Sequence, residues 1–192
     1  MVNTFEQSNL QNTDIISLQS RIISLKKLIT LIEDNCEYKD LLRLYEKYIS
    51  LNYNNSRLIS AFDKKLKKVN RSFNSRLSIQ ESPIITIGTM LRILCVDEYI
   101  DKIMNKHDHK DIQVVSLGSG SDLRFQLEKY KDIHQILEVD FKDALSLKEK
   151  SVNNPANNVK FIDMDLSNVS DCQNALKEHI DLSLIHISEP TR

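Results

Sequence analysis

Residues 112–124 read IQVVSLGSGSDLR, an apolar run of strand length entering a Gly-Ser-Gly turn that holds two of the three glycines in a 192-residue chain. Ordinary usage of about 7% would supply roughly a dozen. Glycine this scarce is expected only where backbone geometry demands it, which marks Gly118, Gly120 and the upstream Gly88 in ITIGTMLR.

Downstream of the turn the chain alternates. Strand IQVVSL, a helix from Asp122 to Tyr130, strand HQILEV, a helix across DALSLKEK, the loop NNPANN, strand VKFIDM and a helix over SDCQNALKEH follow in order. Strands interleaved with helices of this length predict an α/β fold with a parallel sheet. Upstream the period is helical. Ile15, Leu18, Ile22, Leu25, Ile29 and Ile32 recur every three or four residues, with Asp14 as the expected N-cap, and the stripe is too short for a coiled coil. A second helix is expected over Tyr38–Ser50 and a third over Arg57–Phe73. The third is basic, carrying Lys64, Lys65, Lys67 and Lys68, and reads as a solvated face or as a site for an acidic partner or RNA.

At 41% hydrophobic and 28% charged residues the chain is expected to fold, and a formal net charge of −1 gives no argument for nucleic acid as a partner of the molecule as a whole. No segment approaches about eighteen apolar residues, and the N-terminus lacks a basic start followed by an apolar core. A cytoplasmic monomer without a membrane partner is the expectation. Cys36, Cys95 and Cys172 have no metal-ligand spacing and are expected to be reduced, mostly buried thiols. His107 and His109 read as a polar connector, so no metal is expected.

Ligands of open α/β sheets bind beyond the carboxyl ends of the strands, and Gly118 and Gly120 occupy the first strand-to-helix turn. A carboxylate about twenty residues further on is where such folds grip a ribose, and Asp140 stands there, closing Glu138-Val139-Asp140. The third strand ends in Asp163-Met164-Asp165-Leu166, offering Asp165 and Leu166 to an adenine. Either acid could instead be a loop or helix cap. Leu123 replaces the third glycine of a dinucleotide motif, and no GxxxxGK is present to cradle phosphates. A ribose and an adenine without phosphate point to S-adenosyl-L-methionine, whose amino-acid carboxylate calls for a cation. Arg92 could fork onto it with paired bonds, or pair with Asp97 or Glu98.

GTMLR, QVVSLGSGSDLR, EVDF and DMDL, in this order and spacing over about residues 80–170, resemble the leucine carboxyl methyltransferase family. Ser116 replaces the family's usual Asn. The resemblance implies an S-adenosylmethionine-dependent, Rossmann-like parallel sheet preceded by an N-terminal helical region. It implies methylation of the C-terminal leucine carboxylate of the protein phosphatase 2A catalytic subunit. It also implies that Arg92 binds the methionine carboxylate, Gly118 lines the cofactor, Asp140 holds the ribose, and Asp165 with Leu166 flank the adenine. A family lysine near the cofactor has only Arg21 as a weak counterpart. A related tRNA wybutosine-synthesising methyltransferase and a non-catalytic helical interaction module are the alternatives. A leucine carboxylate attacks a sulfonium methyl without a general base, so no catalytic residue is expected.

The expected division is residues 1–80 helical, 81–181 α/β and 182–192 a tail. That tail, LSLIHISEPTR, resembles the translation of a sequencing-library adapter. The alternative is a fourth strand with Glu189 at its end, where the family places a cofactor-binding glutamate. On the adapter reading the chain is C-terminally truncated, the sheet is incomplete and the fragment is inactive.

Overall fold

The helical stripe near the N-terminus packs within its own unit. A computed structural model describes residues 4–52, 83–152, 156–181 and 183–190. The basic third helix predicted over Arg57–Phe73 lies outside them. Helix α1 (Thr4–Leu31) turns Leu18, Ile22, Leu25 and Leu28 inward, and α2 (Cys36–Asn52) buries Leu41, Tyr45, Tyr48 and Ile49. Asp14 is not the N-cap: α1 begins at Thr4, so Asp14 lies inside the helix. Asn35 joins the two helices. Its side-chain amide donates to the carbonyls of Ile29 (2.6 Å) and Ile32 (2.8 Å), and its backbone carbonyl accepts the first intrahelical bond of α2, from Lys39 N–H (3.0 Å). The two side-chain bonds satisfy carbonyls that the end of α1 leaves unpaired.

Helix α3 (Pro83–Lys106) opens on proline, whose missing N–H costs nothing in a first turn. The chain divides into two compact units inside this helix, Met1–Leu94 and Cys95–Arg192. In the first unit Ser24 Oγ donates to the Thr86 carbonyl (3.3 Å). Gly88 sits mid-helix without positive φ, and a Cβ built on it meets nothing within 4 Å. Its scarcity value was therefore misleading, because the backbone there does not require glycine. Gly88→Ala is expected to stabilise the helix by about 1 kcal/mol, read as a raised urea midpoint with unchanged m-value. A lowered midpoint would show a contact that open space does not suggest.

The second unit is the predicted α/β half. Strands β1 (Ile112–Leu117), β2 (Gln135–Asp140), β3 (Val159–Asp163) and β4 (Ile185–Pro190) form one parallel sheet ordered β3-β2-β1-β4. Helix α4 (Lys142–Ser151) links β2 to β3, and α5 (Val169–His179) links β3 to β4. One face of the sheet carries Ile112, Val114 and Ile136, packed with Ile100 of α3, Phe125 and Tyr130. The other carries Val115, Leu137, Val139 and Ile162, covered by Cys172 and Leu176 of α5. Burial on both faces explains why IQVVSL reads as a continuous apolar run rather than an alternating one.

Three expectations change. The helix predicted over Asp122–Tyr130 is two short 3-10 turns, Arg124–Gln126 and Glu128–Tyr130. Asp122 Oδ1 accepts from the Arg124 N–H (3.1 Å), a local bond that competes with helix, and Leu127 between the turns is extended (φ −75°, ψ 145°). The thiols are free, yet Cys36 and Cys95 are exposed and Cys172 is half-buried, so they are not mostly buried. Lastly, residues 185–190 of the segment read as a tail pair along β1, with Ile112 opposite Ile185 and Ser116 opposite Glu189. Pairing of this kind asks only for a β-prone extended run, which LIHI supplies. Among the described residues no helix is long and apolar enough to cross a membrane.

Candidate cofactor site

The order β3-β2-β1-β4 reverses direction at β1, so the turn leaving β1 sits at the switch point where open α/β sheets take ligands. Gly118 (φ 66°) and Gly120 (φ 43°) both adopt left-handed backbone, which a side chain would oppose. The turn stays tied to β2: Gly118 N–H and Ser119 N–H both donate to the Val139 carbonyl (2.8 and 3.1 Å). Gly120 N–H donates to Asp140 Oδ2 (2.7 Å), and Phe141 N–H to Asp140 Oδ1 (2.7 Å). Asp140 is thus a buried carboxylate with a backbone donor on each oxygen, at 4% exposure. A carboxylate has about four lone-pair sites, so each oxygen keeps the capacity to accept one further hydrogen bond.

Asp165 follows β3 and is exposed. It accepts from the Ser167 hydroxyl (2.7 Å) and Ser167 N–H (2.9 Å), and these two bonds hold its carboxyl below the ordinary value. The loop-cap role weighed from the sequence is therefore present. Leu166 packs against the Val115–Leu137 cluster. Asp163, two residues earlier, accepts from Lys142 N–H (2.9 Å) at the start of α4. Gly118, Asp140, Asp165 and Leu166 all belong to the second unit, at the carboxyl ends of β1, β2 and β3. Arg92 belongs to the first unit's stretch of α3 and is exposed. Asp97 bonds Arg124 (3.2 Å) and Glu98 bonds Lys102 (2.7 Å). Arg21 bonds the Tyr45 hydroxyl through Nη1 (3.4 Å).

Two buried ionic groups around the turn escaped the sequence reading. Arg124 Nε reaches Asp122 Oδ2 (3.2 Å) and its Nη1 reaches Asp97 Oδ1 (3.2 Å), all three residues being buried. Burial pushes the Asp97 carboxyl up to about 6 from 3.8, with Arg124 pulling the other way. Lys148 bonds Glu138, both at 0% exposure. Burial raises the Glu138 carboxyl against the opposing pull of Lys148. A signal for the second pair was available. Glu138 interrupts the apolar strand QILEVD, and Lys148 shares the inward face of α4 with Leu145 and Ser151 at spacings of three.

The chemistry of these residues fits S-adenosyl-L-methionine: a left-handed glycine turn, a buried carboxylate with acceptor capacity at the end of β2, and an apolar residue beside an acid after β3. A parallel sheet of this order, covered on both faces and with this turn, is a Rossmann-like sheet. A family model for leucine carboxyl methyltransferase matches residues 47–184, and the chain belongs to that family. It is 29% identical over 115 residues to leucine carboxyl methyltransferase 1 of Candida albicans, a match covering 59% of this chain and 29% of that protein. The proteins of the same name from Mycosarcoma maydis and Debaryomyces hansenii are 32% identical over 76 residues and 33% over 87. Those matches cover 37% and 44% of this chain, and 14% and 23% of the relatives. The chain therefore spans less than a third of each relative's length in the matched region.

Proposed function

We propose that this chain carries part of an S-adenosyl-L-methionine-dependent enzyme that methyl-esterifies the C-terminal leucine carboxylate of the protein phosphatase 2A catalytic subunit. The observation that supports it most is the left-handed Gly118–Gly120 turn bonded through the Gly120 amide to Asp140, in a chain of the leucine carboxyl methyltransferase family. In this reading Gly118 lets backbone approach the cofactor, Asp140 accepts from its ribose, Asp165 and Leu166 flank its adenine, and Arg92 takes its carboxylate. The bound cofactor supplies an electrophilic methyl group on sulfonium. The chain's part is orientation and exclusion of water, since a leucine carboxylate is already an anion and no proton need be removed. A cytoplasmic, monomeric protein completes the proposal.

Calorimetry with S-adenosylhomocysteine tests the site. The parent is expected to bind, with Arg92→Ala and Asp140→Asn each weakening binding by about tenfold or more, the loss of a charge-assisted bond. Variants that bind as tightly as the parent would sink the assignment. Labelled methyl transfer by the protein extended to its relatives' length, offered a phosphatase holoenzyme and tRNA in parallel, tests the substrate. Base-labile label on the phosphatase is expected, and label on tRNA alone would overturn it. The present chain is expected to transfer none.

A further inference from the structure

The Ser119–Gly120 peptide group is gripped at both ends. A trans peptide points its carbonyl and its N–H in opposite directions. On one side the Gly120 N–H meets the Asp140 carboxylate at 2.7 Å. On the other the Ser119 carbonyl accepts from Asp122 N–H (2.9 Å) and lies 3.5 Å from the Lys148 ammonium. The charges match the dipole, with carboxylate at the hydrogen and ammonium at the oxygen. Lys148 cannot drift, because it is fully buried and bonded to Glu138, whose strand position stands beside Ser116 in the register.

The surroundings are shielded from solvent. Ser119 is 1% exposed, and the hydroxyls of Ser116 and Ser119, with Glu138 Oε1, have no hydrogen-bond partner among the described residues. An ammonium buried this fully acts on the carbonyl dipole with less screening than at the surface. Two buried charges are costly to keep, and an apolar pair of similar volume would often be as stable. Their geometry gives them a further role.

We propose that Lys148 and Asp140 clamp the Ser119–Gly120 peptide from its two ends, making Lys148 a positioning residue that orients the turn for the cofactor. Its bearing on binding rests on the function proposed above; the clamp itself does not. Lys148→Met alone strands Glu138 and is a poor test, so the informative variant is Glu138→Leu/Lys148→Met, which removes both charges together.

Amide hydrogen exchange on this chain reads the clamp directly. Gly120 N–H is expected to exchange about tenfold or more faster in the double variant, while the amides of Val115 and Leu137 in the adjoining strands keep the parent rate. Unchanged exchange at Gly120, or an equal acceleration at all three amides, would overturn the clamp, the second because it marks a purely structural pair. Calorimetry then separates the two ideas. A parent that fails to bind S-adenosylhomocysteine refutes the cofactor reading and leaves the clamp to be decided by exchange. A parent that binds, with a double variant binding equally well, refutes the positioning role; a fall of about tenfold is expected.

Discussion

Arg124→Met is expected to destabilise the second unit by about 3–5 kcal/mol at pH 7.5, the usual cost of breaking a buried ion pair from one side. Arg124 is the shared partner of two carboxylates. Its side chain and those of Asp97 and Asp122 are 5%, 11% and 3% exposed, so removing the cation leaves two anions with little water to solvate them. Methionine fills much of the same volume, which makes the loss one of charge compensation rather than of a cavity. The position also matters for the turn: Asp122 N–H closes on the Ser119 carbonyl, while Asp97 lies on α3, so the arginine joins the turn's exit to that helix. Urea denaturation measures the loss. It should shrink markedly at pH 4.5, where the stranded carboxyls take up protons. A loss below about 0.5 kcal/mol at pH 7.5 would place Arg124 among exposed pairs of little worth and contradict its burial.

How much of this could be read from the residues depends on what each pattern reports. The periods of two elements were plain: DALSLKEK and SDCQNALKEH became α4 and α5 within a residue or two. Glycine scarcity located Gly118 and Gly120, where positive φ is required, but equally marked Gly88, where nothing requires it. Scarcity counts residues and carries no dihedral. Segment Asp122–Tyr130 has helix-forming composition, yet the Asp122 side chain bonds its own backbone two residues on, a preference that propensity sums do not register. The ionic groups were hidden for another reason. Lysine and arginine amid other charges read as surface; Glu138 interrupting QILEVD and Lys148 on the inward stripe of α4 were the available signals, and packing is what sets the two against each other. Candidate ligand contacts at strand ends were legible because topology alone puts them there. The pairing of the supports beneath the turn required three-dimensional packing to be seen.

The same buried cluster predicts an unusual response to pH. Asp97 faces Arg124, Lys129, Asp122 and Asp101, and among these influences burial dominates, lifting its carboxyl to about 6. Between that value and the unfolded 3.8 the folded state binds the extra proton. Stability contributed by this group therefore rises as pH falls from about 6 toward 3.8 and is lost as pH climbs back through 6. A carboxyl lifted from 3.8 to about 6 changes stability by about 3 kcal/mol at most. Glu138, raised in the same direction, adds to the slope. Asp97→Asn keeps an oxygen for Arg124 and cannot ionise, so it is expected to be more stable than the parent by up to about 3 kcal/mol at pH 7.5 and nearly equal to it at pH 4. Thermal melts across pH 4–8 distinguish the outcomes. Equal stability at both ends would mean that Arg124 fully offsets the cost of burying the charge. A variant weaker at pH 7.5 would mean that the ion pair outweighs desolvation, so that the Asp97 carboxyl lies below its ordinary value rather than above it.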